Sequence, residues 1–301
     1  MRFVLALAAC LALAFAGAVP ARADDMKQDM DSLSDAQVDA VVEFTFDNAL
    51  FFLFHEMGHM LISEFDLPVL GREEDAADML STLILLEMDD PMFDKALVDS
   101  VEGWQLSSAA GGDPDLWDTH SLDQQRAYNM VCMMVGKDAK RFREAAQDVG
   151  MPEDRREECA DEYGKAHDSW FKLLDSHVRR DGKESSIKVR YLDPKSHDLA
   201  DYAEMVKLSG LLDIVQKVVA IYRLDDGIKL TADECGEANS YWSPADRELT
   251  FCYELSRWYL QAKVEALSGN GGQHSAAVDD GGGDTGGDTG GDTGGDTGGS
   301  E

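Results

Sequence analysis

Apolar residues recur at helical spacing through residues 32–65, and at Ala49, Leu50, Phe51, Phe52, Leu53 and Phe54 they cover nearly every side of the predicted helix. Such a segment belongs inside a fold rather than on its surface. Ser34 and Gln37 have capping-box spacing at its start, and a break is expected near residues 43–47. A short turn at residues 66–71 leads to a second helix over 72–88, with Ala77, Leu80 and Ile84 on one face. Further helices are predicted over 91–110, ended by Gly111-Gly112-Asp113-Pro114, and over 121–135, with a Ser121/Gln124 capping box and Gly136 past its end. Two more follow over 138–149 and 153–178.

The period then changes. Residues 186–192 alternate like a strand that Pro194 stops. Residues 199–223 read as a helix. Residues 227–235, 240–242 and 248–252 read as strands, the last two joined as a hairpin around Ser243-Pro244-Ala245-Asp246, and residues 253–267 close as a helix. The pattern defines an α+β fold, mostly α-helical, with a small C-terminal β-sheet.

Both ends depart from this body. Residues 1–23 have Arg2, an apolar run from Phe3 to Ala18 and the small-residue site Ala21-Arg22-Ala23, which together read as a secretory signal cleaved before Asp24. Leu7-Ala8-Ala9-Cys10 also fits a lipoprotein box, but the apolar run before Cys10 is short, so lipidation ranks second. Residues 268–301 include four copies of Gly-Gly-Asp-Thr and read as a disordered acidic tail, too poor in apolar surface to order itself. One domain is therefore expected over residues 24–267. No segment after the signal is long enough to span a bilayer.

The formal net charge of −32 over 301 residues argues against nucleic acid and anionic lipid as partners. Cys132, Cys159, Cys235 and Cys252 remain after cleavage. An even count in an exported chain implies two disulfides, and sequence neighbours favour Cys132–Cys159 and Cys235–Cys252. No CxxC spacing supports a cysteine zinc cluster. Export to the periplasm or beyond the cell follows from the signal and the cysteines together. Oligomeric state is not legible.

Candidate chemistry lies in the apolar helix, at His55-Glu56-Met57-Gly58-His59. Residues four apart share a helix face, so His55 and His59 can reach one metal ion, and two imidazoles suit one Zn²⁺ per chain. Glu56, rotated by about 100° from His55, is poorly placed to ligate but well placed to hold a water as general base. A catalytic zinc needs a third protein ligand. Glu73 and Glu74 open the next helix, and Glu74 lies one turn before Asp78. Glu74 is the expected ligand, with Asp78 accepting a hydrogen bond from a ligand imidazole. Glu73 is expected to be a helix-start charge, as is Asp75. His120, Arg126, Tyr253 and Asn239 are candidates to stabilise an oxyanion, against a structural role for each. Trp104, Trp117, Trp170, Trp242 and Trp258 are most simply packing residues.

The stretch HEMGHMLISEFDLPVLGREEDAAD, with WDTHSLDQQRAYNMVC at 117–132 and CGEANSYWSPADRELTFCYEL at 235–255, resembles a bacterial envelope domain family named "putative metallopeptidase". The resemblance spans roughly residues 38–267. It implies a zincin-like fold and peptidase activity on a peptide or protein substrate. It also implies His55, His59 and Glu74 as ligands and Glu56 as base. The CYEL-type segment, expected before the HExxH helix, follows it here, so the segment order looks rearranged. Zincins commonly run a sheet edge beside the HExxH helix to bind extended substrate, and the C-terminal strands are the expected counterpart. The competing readings are a non-catalytic zinc-containing binding module and a di-iron helical protein. The second needs two Glu-x-x-His copies where this chain has one.

Overall fold

The computed structural model describes residues 30–110 and 116–269. The predicted signal and nearly all of the predicted tail lie outside the described residues. Helix α1, Asp35–Glu64, starts where the Ser34 backbone N–H donates to Gln37 Oε1 at 3.0 Å. It then runs unbroken through the expected interruption at residues 43–47. Two polar side chains at and just past that point bond back to the helix, Thr45 Oγ1 donating to Val41 O at 2.8 Å and Asn48 Nδ2 to Phe44 O at 2.9 Å. Every residue from 47 to 58 is buried, as the all-round apolar pattern requires.

The chain continues through α2 (Glu73–Glu87), α3 (Pro91–Ala110), α4 (Asp123–Lys137), α5 (Arg143–Asp148) and α6 (Glu153–Leu174). Next come β1 (Lys188–Tyr191), α7 (Ala200–Ser209), α8 (Leu211–Val219), β2 (Lys229–Asp233), β3 (Ser240–Ser243), β4 (Glu248–Cys252) and α9 (Tyr253–Ser268). Helices α2, α3 and α9 pack around α1, and α4 covers α2 and α3 from outside. Helix α6 lies on α4, joined to it by the Cys132–Cys159 disulfide.

Several boundaries differ from the sequence reading, most of them for a local reason. Ser121 does not cap α4, because its Oγ donates to Asp75 Oδ1 at 2.7 Å; the helix begins two residues later, with the Leu122 N–H donating to Gln125 Oε1 at 3.3 Å. Residues 138–142 form no α-helix. Asp138 Oδ1 accepts the N–H groups of Lys140 and Arg141, both at 2.9 Å, which holds a turn. Helix α6 ends at Leu174 and leaves only a 3₁₀ turn, Asp175–His177. The helix predicted over 199–223 is two helices, because Gly210 takes φ 66°, a left-handed conformation that ends α7. Trp117, assigned to packing, is 96% exposed.

The sheet has the order β1-β2-β4-β3, with β1–β2 and β2–β4 parallel and the β3–β4 hairpin antiparallel. Its middle strands are the apolar ones: Leu230 and Ala232 of β2, and Leu249 and Phe251 of β4, are fully buried. The Cys235–Cys252 disulfide joins the chain just past β2 to the end of β4. Edge strand β3 lies against α1. Arg247, in the β3–β4 turn, donates to both carboxylate oxygens of Glu64 at the end of α1, at 2.8 and 2.6 Å. That pair fixes the sheet beside the helix carrying His55 and His59. The architecture is the expected mostly helical α+β fold with a small sheet. Among the described residues no helix is long and apolar enough to cross a membrane.

Candidate metal centre

Two helices make the centre, and their closeness depends on two small residues. A Cβ placed on Gly58 would lie 3.1 Å from both the Cα and the carbonyl oxygen of Ala77. Gly58 sits between His55 and His59, and Ala77 between Glu74 and Asp78. The backbones therefore meet at the level where the four polar side chains project.

There the side chains converge. His55 Nε2 and His59 Nε2 lie 3.2 and 3.0 Å from Glu74 Oε2, and 3.1 Å from each other. A tetrahedral zinc with Zn–N near ~2.05 Å spaces its donors about 3.3 Å apart. The three donors thus already stand at nearly the separations one ion imposes, and the set of two imidazoles and a carboxylate matches zinc chemistry.

On the far side of each ring stands a carboxylate. Asp78 Oδ1 is 2.8 Å from His55 Nδ1, and Glu73 Oε1 is 2.9 Å from His59 Nδ1. Asp78 in turn accepts from Arg126 Nε at 2.7 Å and Arg126 Nη2 at 2.8 Å. The Arg126 guanidinium is buried and lies 3.7 Å over the Trp104 ring. Arg126 therefore braces Asp78, the structural role weighed against oxyanion binding. Glu73, taken as a helix-start charge, contacts His59; that contact depends on how the 66–71 turn sets α2 beside α1, which residue spacing does not encode.

His120 reaches the same point from the loop before α4. Its Nε2 lies 3.0 Å from Glu74 Oε2 and its Nδ1 2.9 Å from Asp118 Oδ1. Donor atoms of His55, Glu74 and His120 all fall within 4.8 Å of one another. Asp118 went unnoticed in the sequence, though an acidic residue two positions before a candidate histidine is a usable signal. Glu56 is buried in α1 immediately after His55.

The electrostatics favour a cation at this point. Burial pulls the imidazole pKa of His55 down, but Asp78 and Glu74 outweigh it and the net shift is upward. For His59, burial is likewise overcome by Glu73, Glu74 and Glu56, and its pKa is pushed up to about 10. Burial would raise Glu74, yet contacts with His120, His55 and His59 hold it well below the usual carboxylate range. Asp78 is also lowered, burial being outweighed by Arg126 and His55.

Two candidates are not brought here. The Tyr253 hydroxyl is a buried sheet anchor, donating to the carbonyls of Leu192 (2.6 Å) and Ala232 (3.0 Å). That corrects the expectation of an oxyanion role, because its one proton is committed to backbone. Asn239 is held in its own turn, its Oδ1 accepting from the Ser240 N–H at 2.7 Å. A second grouping of potential ligands, Cys235, Cys252 and Glu254, has its sulfurs committed to a disulfide.

A family model described as "Putative metallopeptidase" matches residues 21–174 and 191–277. The chain belongs to that family. No curated protein and no solved structure matches it.

Proposed function

We propose that the chain is an exported zinc-dependent peptide hydrolase with a zincin-like core. His55, His59 and Glu74 are its ligands and Glu56 is its general base. The observation that carries this reading is the meeting of His55 Nε2, His59 Nε2 and Glu74 Oε2 at 3.0–3.2 Å, each imidazole backed by a carboxylate on Nδ1. Bound zinc supplies Lewis acidity toward the scissile carbonyl and toward water. Glu56 takes a proton from the attacking water and delivers it to the leaving amine. Asp78 and Glu73 hold each imidazole with Nε2 turned inward, and Arg126 keeps Asp78 ionised. The β3 edge beside α1 offers backbone groups to an extended peptide. The two disulfides agree with export.

The test is Glu56→Gln. It should retain zinc and thermal stability and lose turnover of a peptide library by several orders of magnitude, since both proton transfers use that carboxylate. Near-normal hydrolysis by the variant would remove Glu56 from the mechanism. One observation favours a second reading, a zinc-containing binding module without turnover: His120 brings a fourth protein donor to Glu74, as in closed structural sites. That reading expects wild-type protein that binds zinc fully and cleaves nothing in the library.

A further inference from the structure

We propose that His120 is a fourth protein ligand of the centre, so that the resting donor set is three imidazoles and the Glu74 carboxylate. The inference rests on the metal centre proposed above.

Three independent features lead to it. The first is direction. The Nε2 atoms of His55, His59 and His120 stand 3.2, 3.0 and 3.0 Å from one and the same oxygen, Glu74 Oε2. A histidine that bound a substrate oxyanion would aim Nε2 at the space the substrate occupies, not at a ligand carboxylate.

The second feature is the backing. Each of the three rings carries a carboxylate on its other nitrogen: Asp78 on His55 at 2.8 Å, Glu73 on His59 at 2.9 Å and Asp118 on His120 at 2.9 Å. That arrangement holds each ring with Nε2 turned toward Glu74, and it is the usual company of a metal-bound imidazole. His120 shares it in full with the two histidines of the HExxH helix.

The third is anchoring. His120 sits on a loop, yet the loop is tied down close to Glu74. Arg72 Nη1 donates to the His120 carbonyl at 2.9 Å, and Ser121 Oγ donates to Asp75 at 2.7 Å. The His120 backbone N–H donates to Asp118 Oδ1 at 2.8 Å. Arg72 and Asp75 flank Glu74 at the start of α2, so loop and ligand are held by one helix end. The His120 side chain is left only 9% exposed.

A set of four protein donors has the make-up of a closed zinc site. Water and substrate must then enter as a fifth partner or replace one donor. His120 is the one donor of the four that does not come from a helix.

Cobalt(II) is the probe, because its visible and near-ultraviolet absorption reports donor type and number without any turnover. The full chain, His120→Ala and His120→Cys are each titrated with cobalt(II), with circular dichroism as the check on folding. His120→Ala is expected to bind cobalt at least about 10–100-fold more weakly, since even loss of a group behind a ligand costs that much, and to show an altered visible spectrum. His120→Cys is expected to gain the near-ultraviolet charge-transfer band of a cobalt–thiolate bond, which arises only if position 120 touches the metal. If His120→Ala misfolds, the His120→Cys band decides alone. Wild-type affinity and spectrum in His120→Ala, or no charge-transfer band in a cobalt-loaded His120→Cys, overturns the proposal. Failure of the underlying centre looks different: wild type takes up no cobalt, or His55→Ala and Glu74→Ala bind it as wild type does.

Discussion

Helix α1 carries two buried polar clusters, centred on Asp47 and on His55 eight residues later, about 12 Å apart along the axis. They meet the cost of buried charge in opposite ways. At Asp47 like charges crowd together. Asp99 of α3 stands beside it, Glu43 of α1 adds a further negative charge, and the half-exposed Lys95 ammonium is 3.8 Å away. Burial, then Asp99, push the Asp47 carboxyl up to about 8, so at neutral pH it holds a proton. At His55 and His59 the charges alternate outward in shells, from imidazole to Asp78 or Glu73, and from Asp78 to Arg126. Glu74 and Asp78 are held below the usual carboxylate range despite burial, and the His55 and His59 imidazoles are shifted upward beside them. The first cluster tolerates burial by neutralising itself; the second does so by setting opposite charges against one another.

The largest effect should come from removing the brace of the second cluster. Arg126→Leu leaves Asp78 buried without its cation, and should cost roughly 3–5 kcal/mol of stability by urea unfolding. An effect below about 1 kcal/mol would mean that Asp78 finds another partner. Next is the Cys132–Cys159 bridge. Replacing both cysteines by serine should cost about 2–4 kcal/mol, loosening α6 from α4 and leaving the centre on α1 and α2 able to bind metal. Loss of metal along with stability would show that the two regions are coupled.

Third, Gly58→Ala puts a methyl 3.1 Å from Ala77 backbone. It should cost on the order of 1–3 kcal/mol as overpacking, and weaken metal binding by forcing α1 from α2. A metal titration with wild-type affinity would break the link between helix contact and site. The last prediction belongs to the first cluster and is a pH slope rather than a single loss of stability. The folded pKa of Asp47, about 8, lies above its ordinary value of 3.8, so its stabilising contribution is complete below pH 3.8 and lost as pH rises through 8. Asp47→Asn should flatten that fall, gaining on wild type between pH 5 and pH 9 in urea midpoints. An unchanged slope would mean that Asp47 is ionised in the folded chain.

The sequence showed the second cluster more fully than the first. His55 and His59 stand four apart on an all-apolar helix, and Glu74 and Asp78 repeat that spacing on the next, so helical geometry alone put each pair on one face. What the spacing could not show were contacts made by tertiary approach. Glu73 meets His59 and His120 meets Glu74 only because Gly58 lets α2 close on α1 and because Arg72 draws the 118–121 loop inward. Tyr253 misled for the same reason: whether a phenol faces substrate or two backbone carbonyls depends on the sheet behind it. Strand positions and the α+β class followed from residue period. Helix ends failed where a single local bond competed with the helix, as at Ser121, Asp138 and Gly210.

The claim on which the account stands is that Glu74, and not its neighbour Glu73, supplies the carboxylate of the centre. Both open α2, but Glu74 Oε2 faces both Nε2 atoms while Glu73 Oε1 backs His59 Nδ1. Zinc per chain, measured after dialysis against a zinc buffer, separates them. Wild type should hold one zinc. Glu74→Ala should hold almost none, whereas Glu73→Ala should keep its zinc with affinity reduced by about 10–100-fold. An empty site in Glu73→Ala beside a full one in Glu74→Ala would contradict the arrangement of donors described above.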